Sequence, residues 1–387
     1  MGLGHVTRDL AIVHELRKLI PEIKVSWLSC PPASDVLEQA GEIVFPDSQE
    51  LVNDTSLIEW FAVGPHRLNL LRYCVKWAGT WGPNLSIFRQ VVDRENFDLI
   101  VGDEAYEVVA ALLKRKLSLP RRFITIHDFF GVDPIENSLL ERWAGYLIAR
   151  AFHRPNPEGI VQFLFAGEEE DILDGRFGWF LPDRRKWATR HCHFLGYIIP
   201  FSPSEFEDRT TARKQLGYGE EPLVICSIGG TSIGRSLLEL CAKTYPLLRQ
   251  QLPGIRMVLI CGPRLDPQSL QVPKEVELRG YVTALYRYFA ASDLSVVQGG
   301  GSSTIELTAL RRPFLYFPLE EHFEQEIHIA GRQRRLGAGI RMRFSETTPQ
   351  SLASAILSNI AKQPTYEPIR TNGARVAAKI IHEALSS

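Results

Sequence analysis

The chain has 387 residues, of which 45% are hydrophobic and 23% charged, and its formal net charge is −1. This length exceeds the size at which one core stops growing, so two domains are expected. A near-neutral chain without a long basic run is not typical of a protein that binds nucleic acid by bulk electrostatics. The six scattered cysteines, the lack of a signal peptide and the lack of a long apolar span predict a cytoplasmic protein.

Short apolar runs alternate with helical patterns through both halves of the chain. This alternation predicts an α/β fold with parallel sheets that are covered on both faces. Ten such strands exceed what one sheet easily holds, so we expect two doubly wound domains. The predicted strands are 23–29, 42–46, 98–103, 121–127, 161–167, 222–230, 255–262, 276–280, 294–300 and 313–318. The predicted helices begin at or near Thr7, Leu68, Ala105, Glu136, Arg235, Val282, Ser302 and Phe323.

The domain boundary is predicted where prolines and serines interrupt this rhythm, in the stretch 196–208. We therefore expect an N-terminal domain over 1–198 and a C-terminal domain over 199–370. The amphipathic stretch 371–387 is expected to form a last helix.

The first residues, MGLGHVTRDL, are unusual because a glycine turn opens the chain with no strand before it. Such turns normally follow the first strand of a parallel sheet. We expect that this strand is missing, that Met1 is an internal methionine, and that residues 1–5 are poorly anchored. A form extended upstream would then be more stable and more active. The alternative is a sheet that closes without the strand.

Ligands of open parallel sheets bind outside the carboxyl ends of the strands. Polar and glycine-rich residues follow the predicted strands at Asp103-Glu104, His127-Asp128, Gly229–Thr231 and Gln298–Glu306. Two such sets facing each other across the linker would form a cleft between the domains.

The most informative stretch is 296–340, in which three glycines end a strand and Ser302, Ser303 and Thr304 open a helix. Free N–H groups and hydroxyls at a helix N-terminus form an anion site suited to a diphosphate. Glu306 follows in the first turns of this helix, where a carboxylate can accept hydrogen bonds from ribose hydroxyls. The alternative is a capped helix with an acid that compensates its dipole.

This stretch resembles the donor-binding signature of nucleotide-sugar glycosyltransferases with the two-domain GT-B fold. It is similar to the UDP-glycosyltransferase superfamily and to the N-acetylglucosaminyltransferase that completes the peptidoglycan lipid precursor. Gln298 stands where the plant-type signature has a histidine. The resemblance implies a phosphate turn at Gly300, Ser302 and Ser303, a ribose acid at Glu306 and a sugar-binding pair at Glu324 and Gln325. Flanking stretches resemble a diphosphate loop at Gly229, Gly230 and Thr231 and a base-binding segment with Tyr281.

The N-terminal turn resembles the G-x-G-H loop of the acceptor domain in the same superfamily. The resemblance implies that His5, after Gly4, is the catalytic base and that Asp103 orients its ring. Glu104 is the alternative carboxylate, and His127 is an alternative base or an acceptor-binding residue. In GT-B enzymes the C-terminal helix packs back on the first domain, and we expect the same of 371–387.

Together these features predict an inverting, metal-independent glycosyltransferase that uses a UDP-sugar as co-substrate and has no other cofactor. No DxD-like pair stands at a strand end, and strand alternation at His191-Cys192-His193 argues against a metal site there. The alternatives are a UDP-N-acetylglucosamine 2-epimerase-like enzyme and an inactive nucleotide-sugar-binding protein. An NAD-dependent oxidoreductase is disfavoured because the first loop lacks the third glycine.

We expect a small-molecule or lipid-linked acceptor, with much of its site within residues 48–97, where a packed helical insertion is the alternative. Basic residues there, Arg67, Arg72 and Lys76, would allow peripheral contact with a membrane, and a solvated helix face is the alternative. Aromatic residues are dense in this stretch: Trp60, Phe61, Tyr73, Trp77 and Trp81.

Overall fold

A computed structural model describes residues 3–52, 66, 70–119, 122–130, 133, 139–153, 156, 159–230 and 232–386. The chain forms two compact units. The first unit comprises Met1–Ile58, Leu70–Pro200 and Arg370–Ser387, and the second comprises Glu59–Asn69 and Phe201–Ile369.

The first unit contains two parallel sheets. Strands β1 (Ser26–Trp27) and β2 (Ile43–Val44) form one, and the other has the order β3-β4-β5-β6. The bounds of the four strands are β3 (Ile100–Asp103), β4 (Phe123–His127), β5 (Val161–Phe165) and β6 (Cys192–Phe194). Strand β4 is buried along its whole length, as expected for an apolar strand covered on both faces.

Within the described residues, six α-helices of the first unit precede residue 200 in the chain, and one follows residue 370. A cluster of buried residues joins Ile12 and Leu16 of the first helix to Ala377 and Ile381 of the last, so the C-terminal helix packs in the first unit. The helices are α1 (Leu3–Leu19), α2 (Ala33–Gln39), α3 (Leu70–Arg94), α4 (Tyr106–Leu113), α5 (Leu139–Phe152), α6 (Arg184–His191) and α13 (Gly373–Ser386).

The second unit is built on one parallel sheet of six strands with the order β12-β11-β10-β7-β8-β9. The strand order reverses between β7 and β10, and a crevice for a ligand is expected at the carboxyl ends of these two strands. The strands are β7 (Leu223–Ser227), β8 (Arg256–Ile260), β9 (Glu277–Arg279), β10 (Leu294–Gln298), β11 (Phe314–Phe317) and β12 (Ile340–Arg341).

The helices of the second unit cover this sheet, and its largest buried cluster contains residues of β7, β8 and β10. A π-helix, Glu324–Ile329, runs directly into α11. The α-helices are α7 (Arg209–Leu216), α8 (Arg235–Gln251), α9 (Leu285–Ala291), α10 (Gly301–Ala309), α11 (Ala330–Arg335) and α12 (Pro349–Asn359).

Three expectations need correction. Gly4 and His5 lie in the first turn of α1 and not in a loop, and His5 is held by side-chain contacts, so it is not poorly anchored. Met1 and Gly2 lie outside the described residues. His66 was expected in the N-terminal domain, but it is grouped with the second unit, where its Nε2 lies 2.9 Å from the carbonyl oxygen of Phe317.

Candidate active site

The first unit brings His5 and Asp103 together, as the sequence predicted. The Nδ1 atom of His5 lies 3.3 Å from both carboxylate oxygens of Asp103, at the carboxyl end of β3. Asp103 is buried, whereas about a fifth of the His5 side chain, 22%, is exposed. A proton on Nδ1 that faces the carboxylate leaves Nε2 as the nitrogen with a free lone pair.

Arg8 is a third member of this group, and no motif in the sequence points to it. It lies one turn after His5 on α1, so both side chains project from the same face of the helix. Its Nε donates to Asp103 at 2.9 Å, its Nη2 contacts the other oxygen of Asp103, and its Nη1 lies 3.1 Å from Asp128. The buried guanidinium therefore clamps two strand ends, those of β3 and β4.

Glu104 and His127 form a second pair of side chains next to the pair of His5 and Asp103. Glu104 has a left-handed backbone, with a φ of 50°, which a non-glycine residue adopts at a cost in free energy. Its carboxylate accepts from the backbone N–H of Asp128 at 2.9 Å and lies 3.4 Å from Nδ1 of His127. His127 is fully buried, and its Nε2 lies 2.9 Å from the hydroxyl of Thr125. His127 therefore supports Glu104 and is not exposed to an acceptor.

The charges of this cluster shift several pKa values. Burial is the largest single influence on the pKa of His5 and lowers it, but the charge and hydrogen bond of Asp103 together with the charge of Asp128 outweigh burial, and the pKa of His5 is raised. The pKa of Asp103 falls well below its usual range because Arg8 and His5 outweigh the cost of its burial. Burial lowers the pKa of His127 to about 3, so this imidazole is neutral at physiological pH. His5 is therefore the better matched base.

In the second unit, the glycine-rich turn after β10 leads into α10, which begins at Gly301 with Gly300 as its N-cap. Within the described residues, no side chain caps this helix end, and the hydroxyl of Thr304 donates to the carbonyl oxygen of Gly300 at 2.9 Å. Ser302 and Ser303 are only half-buried. First-turn N–H groups and two serine hydroxyls are therefore available to an anion.

Glu306 is a buried carboxyl group on the same helix, 6% exposed, and its burial raises its pKa to about 8. Within the described part of the chain its carboxyl group has no hydrogen-bonding side chain and no ion-pair partner. An acid of this kind is costly to ionise unless a ligand supplies donors.

The other described residues of the predicted donor site follow strands of the second unit's sheet, at or near the carboxyl ends of those strands. Gly229 has a φ of 71° and follows β7, whereas Thr231 lies outside the described residues. Tyr281 is half-buried after β9. The Oε1 atom of Gln325 accepts a hydrogen bond from the N–H of Leu319 at 2.8 Å. Glu324 begins the π-helix, a deformation that frequently accompanies functional sites.

Other sequence predictions fall outside this arrangement. Trp60, Phe61 and Arg67 lie outside the described residues, as do the side chains of Arg72, Tyr73 and Trp77. Trp81 is half-buried and packs against the core of the first unit. Within the described ranges, no group of histidine, cysteine or acidic side chains has the arrangement of a metal site, and no helix is long and apolar enough to cross a membrane. The five described cysteines form no disulfide, and four of them are buried.

Comparison with known proteins places these features in a family. Residues 224–384 match the model of the glycosyltransferase family 28 C-terminal domain. An uncharacterized glycosyltransferase of Methanosarcina mazei is 33% identical over 384 residues, which cover 94% of this chain and 89% of that protein. A match to a glycosyltransferase of Methanosarcina acetivorans, 32% identical, is shorter and spans 38% of this chain and 37% of that protein.

More distant proteins agree with this result. The N-acetylglucosamine transferase of Streptomyces coelicolor that acts on N-acetylmuramyl-(pentapeptide) pyrophosphoryl-undecaprenol is 24% identical, over 70% of this chain and 66% of that protein. A solved spinosyn rhamnosyltransferase complexed with thymidine diphosphate has the same fold, with a TM-score of 0.57 and 14% identity over 99% of this chain and 94% of that one. This chain therefore belongs to the GT-B glycosyltransferases related to the N-acetylglucosaminyltransferase of peptidoglycan precursor synthesis.

Proposed function

We propose that this glycosyltransferase moves a sugar from a UDP-sugar to an acceptor hydroxyl, with inversion at the anomeric carbon and without a metal ion. The observation that carries the proposal is the contact of His5 Nδ1 with the buried carboxylate of Asp103, 3.3 Å away. This contact leaves Nε2 as the atom that can take a proton from an acceptor.

In the proposed step, Nε2 of His5 removes the proton of the acceptor hydroxyl as its oxygen attacks the anomeric carbon. The bond from that carbon to the diphosphate oxygen breaks, and UDP leaves with the electron pair. One displacement inverts the anomeric centre. Asp103 stabilises the imidazolium that forms, and Arg8 keeps Asp103 ionised.

The donor would be held by the second unit. The free end of α10 and the glycine turn after β7 offer N–H groups to the diphosphate, and preorganised donors of this kind can take over the charge stabilisation that a metal supplies elsewhere. Glu306 would accept hydrogen bonds from the two ribose hydroxyls. Tyr281 would stack on the base, and Glu324 and Gln325 would contact the sugar.

Uridine is proposed because the N-acetylglucosamine transferases among the relatives use a UDP-sugar. The thymidine diphosphate bound to the rhamnosyltransferase makes dTDP-sugars the second donor class to test. The same relatives make a lipid-linked acceptor the first acceptor class to test. Calorimetry with UDP, dTDP and GDP separates the donor classes.

The experiment that tests the base is the change His5→Ala. Loss of a general base is expected to lower kcat by about 10²–10⁴-fold, with UDP affinity unchanged because the donor residues lie in the second unit. His191→Ala is a matched control, since His191 ends helix α6 away from the cluster. Near-normal turnover of the His5 variant would refute the assignment.

A further inference from the structure

Glu104 lies beside the pair of His5 and Asp103, and the proposed reaction does not use it. It directly follows β3, and its side chain is only 11% exposed. Its N–H donates to the carbonyl oxygen of Ile126 at 2.9 Å, and its own carbonyl oxygen accepts from the N–H of Tyr106 at 2.9 Å. These two bonds hold the residue in the left-handed conformation at a φ of 50°, and strain of this kind clusters at functional sites.

The side chain of Glu104 meets a second carboxyl group, that of Asp128. One oxygen of Glu104 accepts from the backbone N–H of Asp128 at 2.9 Å. The carboxyl group of Glu104 is also hydrogen-bonded to the carboxyl group of Asp128. Two ionised carboxylates repel each other and neither can donate, so this contact requires a proton on one of the two groups. The pair therefore holds one proton between its two carboxyl groups.

Arg8 decides which of the two groups carries that proton. Its Nη1 lies 3.1 Å from the carboxylate of Asp128, while the rest of the same guanidinium binds Asp103. A guanidinium in contact favours the ionised form of a carboxyl group. Within the described residues, Glu104 forms no ion pair with an arginine or a lysine, and burial together with the charges of Asp128 and Asp103 raises its pKa well above the usual range. Glu104 is therefore the neutral member of the pair.

His127 does not supply a positive charge that would reverse this assignment. Its Nδ1 lies 3.4 Å from Glu104, but burial lowers its pKa to about 3, so the imidazole is neutral. Burial also raises the pKa of Asp9, which is hydrogen-bonded to Asp103. The titratable and charged groups of this cluster are His5, Arg8 and Asp9 on α1, Asp103 and Glu104 at the end of β3, and His127 and Asp128 at the end of β4.

The charge of Glu104 matters for the base. Asp103 and Asp128 already favour the protonated imidazole of His5, and a protonated imidazole cannot accept the proton of an acceptor hydroxyl. A third carboxylate in this buried cluster would strengthen that effect. A neutral Glu104 can hold Asp128 in place and add no negative charge beside the base.

We propose that Glu104 is a positioning residue that works as a neutral acid: it donates its proton to Asp128 and so holds that carboxylate against Arg8. This role in catalysis rests on the proposed function. It also excludes Glu104 as the carboxylate that orients His5, because a neutral carboxyl group does not stabilise an imidazolium ion.

The test compares isosteric amides at the two members of the carboxyl pair. Glu104→Ala should lower kcat by about tenfold or more, because Asp128 and Arg8 lose their support. Glu104→Gln should recover most of this loss, since its amide donates to Asp128 as the protonated acid does, and the acid limb of its kcat/KM profile should stay at the parent pH. Asp128→Asn should not be tolerated in this way. It removes a negative charge that favours protonated His5, so its acid limb should move to lower pH.

Infrared spectroscopy of the full chain, labelled with ¹³C in its glutamate carboxyl groups, tests the protonation state without the reaction. At pH 7, Glu104→Gln should remove a protonated-carboxyl band that the matched variant Glu306→Gln leaves in place. If His5→Ala refutes the proposed function, this band still reports on Glu104. The proposal is overturned if Glu104→Gln leaves the protonated-carboxyl bands unchanged, loses as much activity as Glu104→Ala, or moves the acid limb to lower pH. It is also overturned if Asp128→Asn keeps the activity that Glu104→Gln loses.

Discussion

The carboxyl group of Glu306 allows a quantitative prediction, because its burial raises its pKa to about 8. At pH 7 the free protein would hold this group mainly protonated, and one pKa unit corresponds to about 1.4 kcal/mol of ionisation cost. Two ribose hydroxyls that donate to the carboxylate would favour the charged form, each by about 1.5–3 kcal/mol. Binding of UDP should therefore release a proton.

The sign of the pH dependence follows directly. If the ionised form binds, affinity should rise by about tenfold per pH unit below pH 8 and level off above it, a gain of roughly 50-fold from pH 6 to pH 8. Glu306→Gln keeps the size of the side chain and removes the titration, so it serves as the control for the titration of UDP itself. Calorimetry in buffers of different ionisation enthalpy measures the released proton. Equal proton release in the parent chain and in the Gln variant would refute the assignment of Glu306 to the ribose.

Two further predictions concern the clamp and the glycine turn. Arg8→Gln should raise the pKa of His5, because the positive charge of Arg8 opposes protonation of the imidazole. The acid limb of the kcat/KM profile should therefore move to higher pH. Arg8→Lys keeps a positive charge and should shift this limb less. Breaking this buried pair should also cost about 3–5 kcal/mol of stability, and an unchanged profile and melting temperature would contradict the clamp. Gly299→Ala should cost about 1–3 kcal/mol because a Cβ there would lie 2.7 Å from Cα of Pro318. Gly300→Ala, whose Cβ would meet nothing within 4 Å, should melt like the parent chain, and equal melting of both variants would contradict the close approach.

The order of strands and helices along the chain is predictable from the local pattern of apolar and turn residues. Each of the ten predicted strands contains an observed strand, because apolar β-branched runs bounded by turns carry the signal by themselves. Strand β12 was not predicted, since two residues are too short to show alternation, and β6 was anticipated only as the extended stretch at His191-Cys192-His193. The helix at 301–309 was predicted from serines after a glycine turn, and the structure begins it one residue earlier.

The candidate site was predictable only in part. His5 and Asp103 were paired through a family resemblance, and their contact joins residues 98 positions apart. Arg8 was missed because its role depends on Asp103 and Asp128, which only the parallel alignment of β3 and β4 brings beside α1. The burial of His127 was missed for a similar reason, as its ring is covered by Tyr106 and Phe130 from other elements.

The most direct test of the central claim is the configuration of the sugar that the enzyme releases from its donor. The full chain would be incubated with UDP-α-N-acetylglucosamine and a panel of other UDP- and dTDP-α-sugars in the presence of a chelator. Proton NMR would follow the anomeric signal at early times, before the free sugar equilibrates. The account predicts a β-configured product, formed with the chelator present and lost in the His5→Ala variant. An α-configured product, a requirement for a divalent metal, or unchanged release by the His5 variant would contradict it.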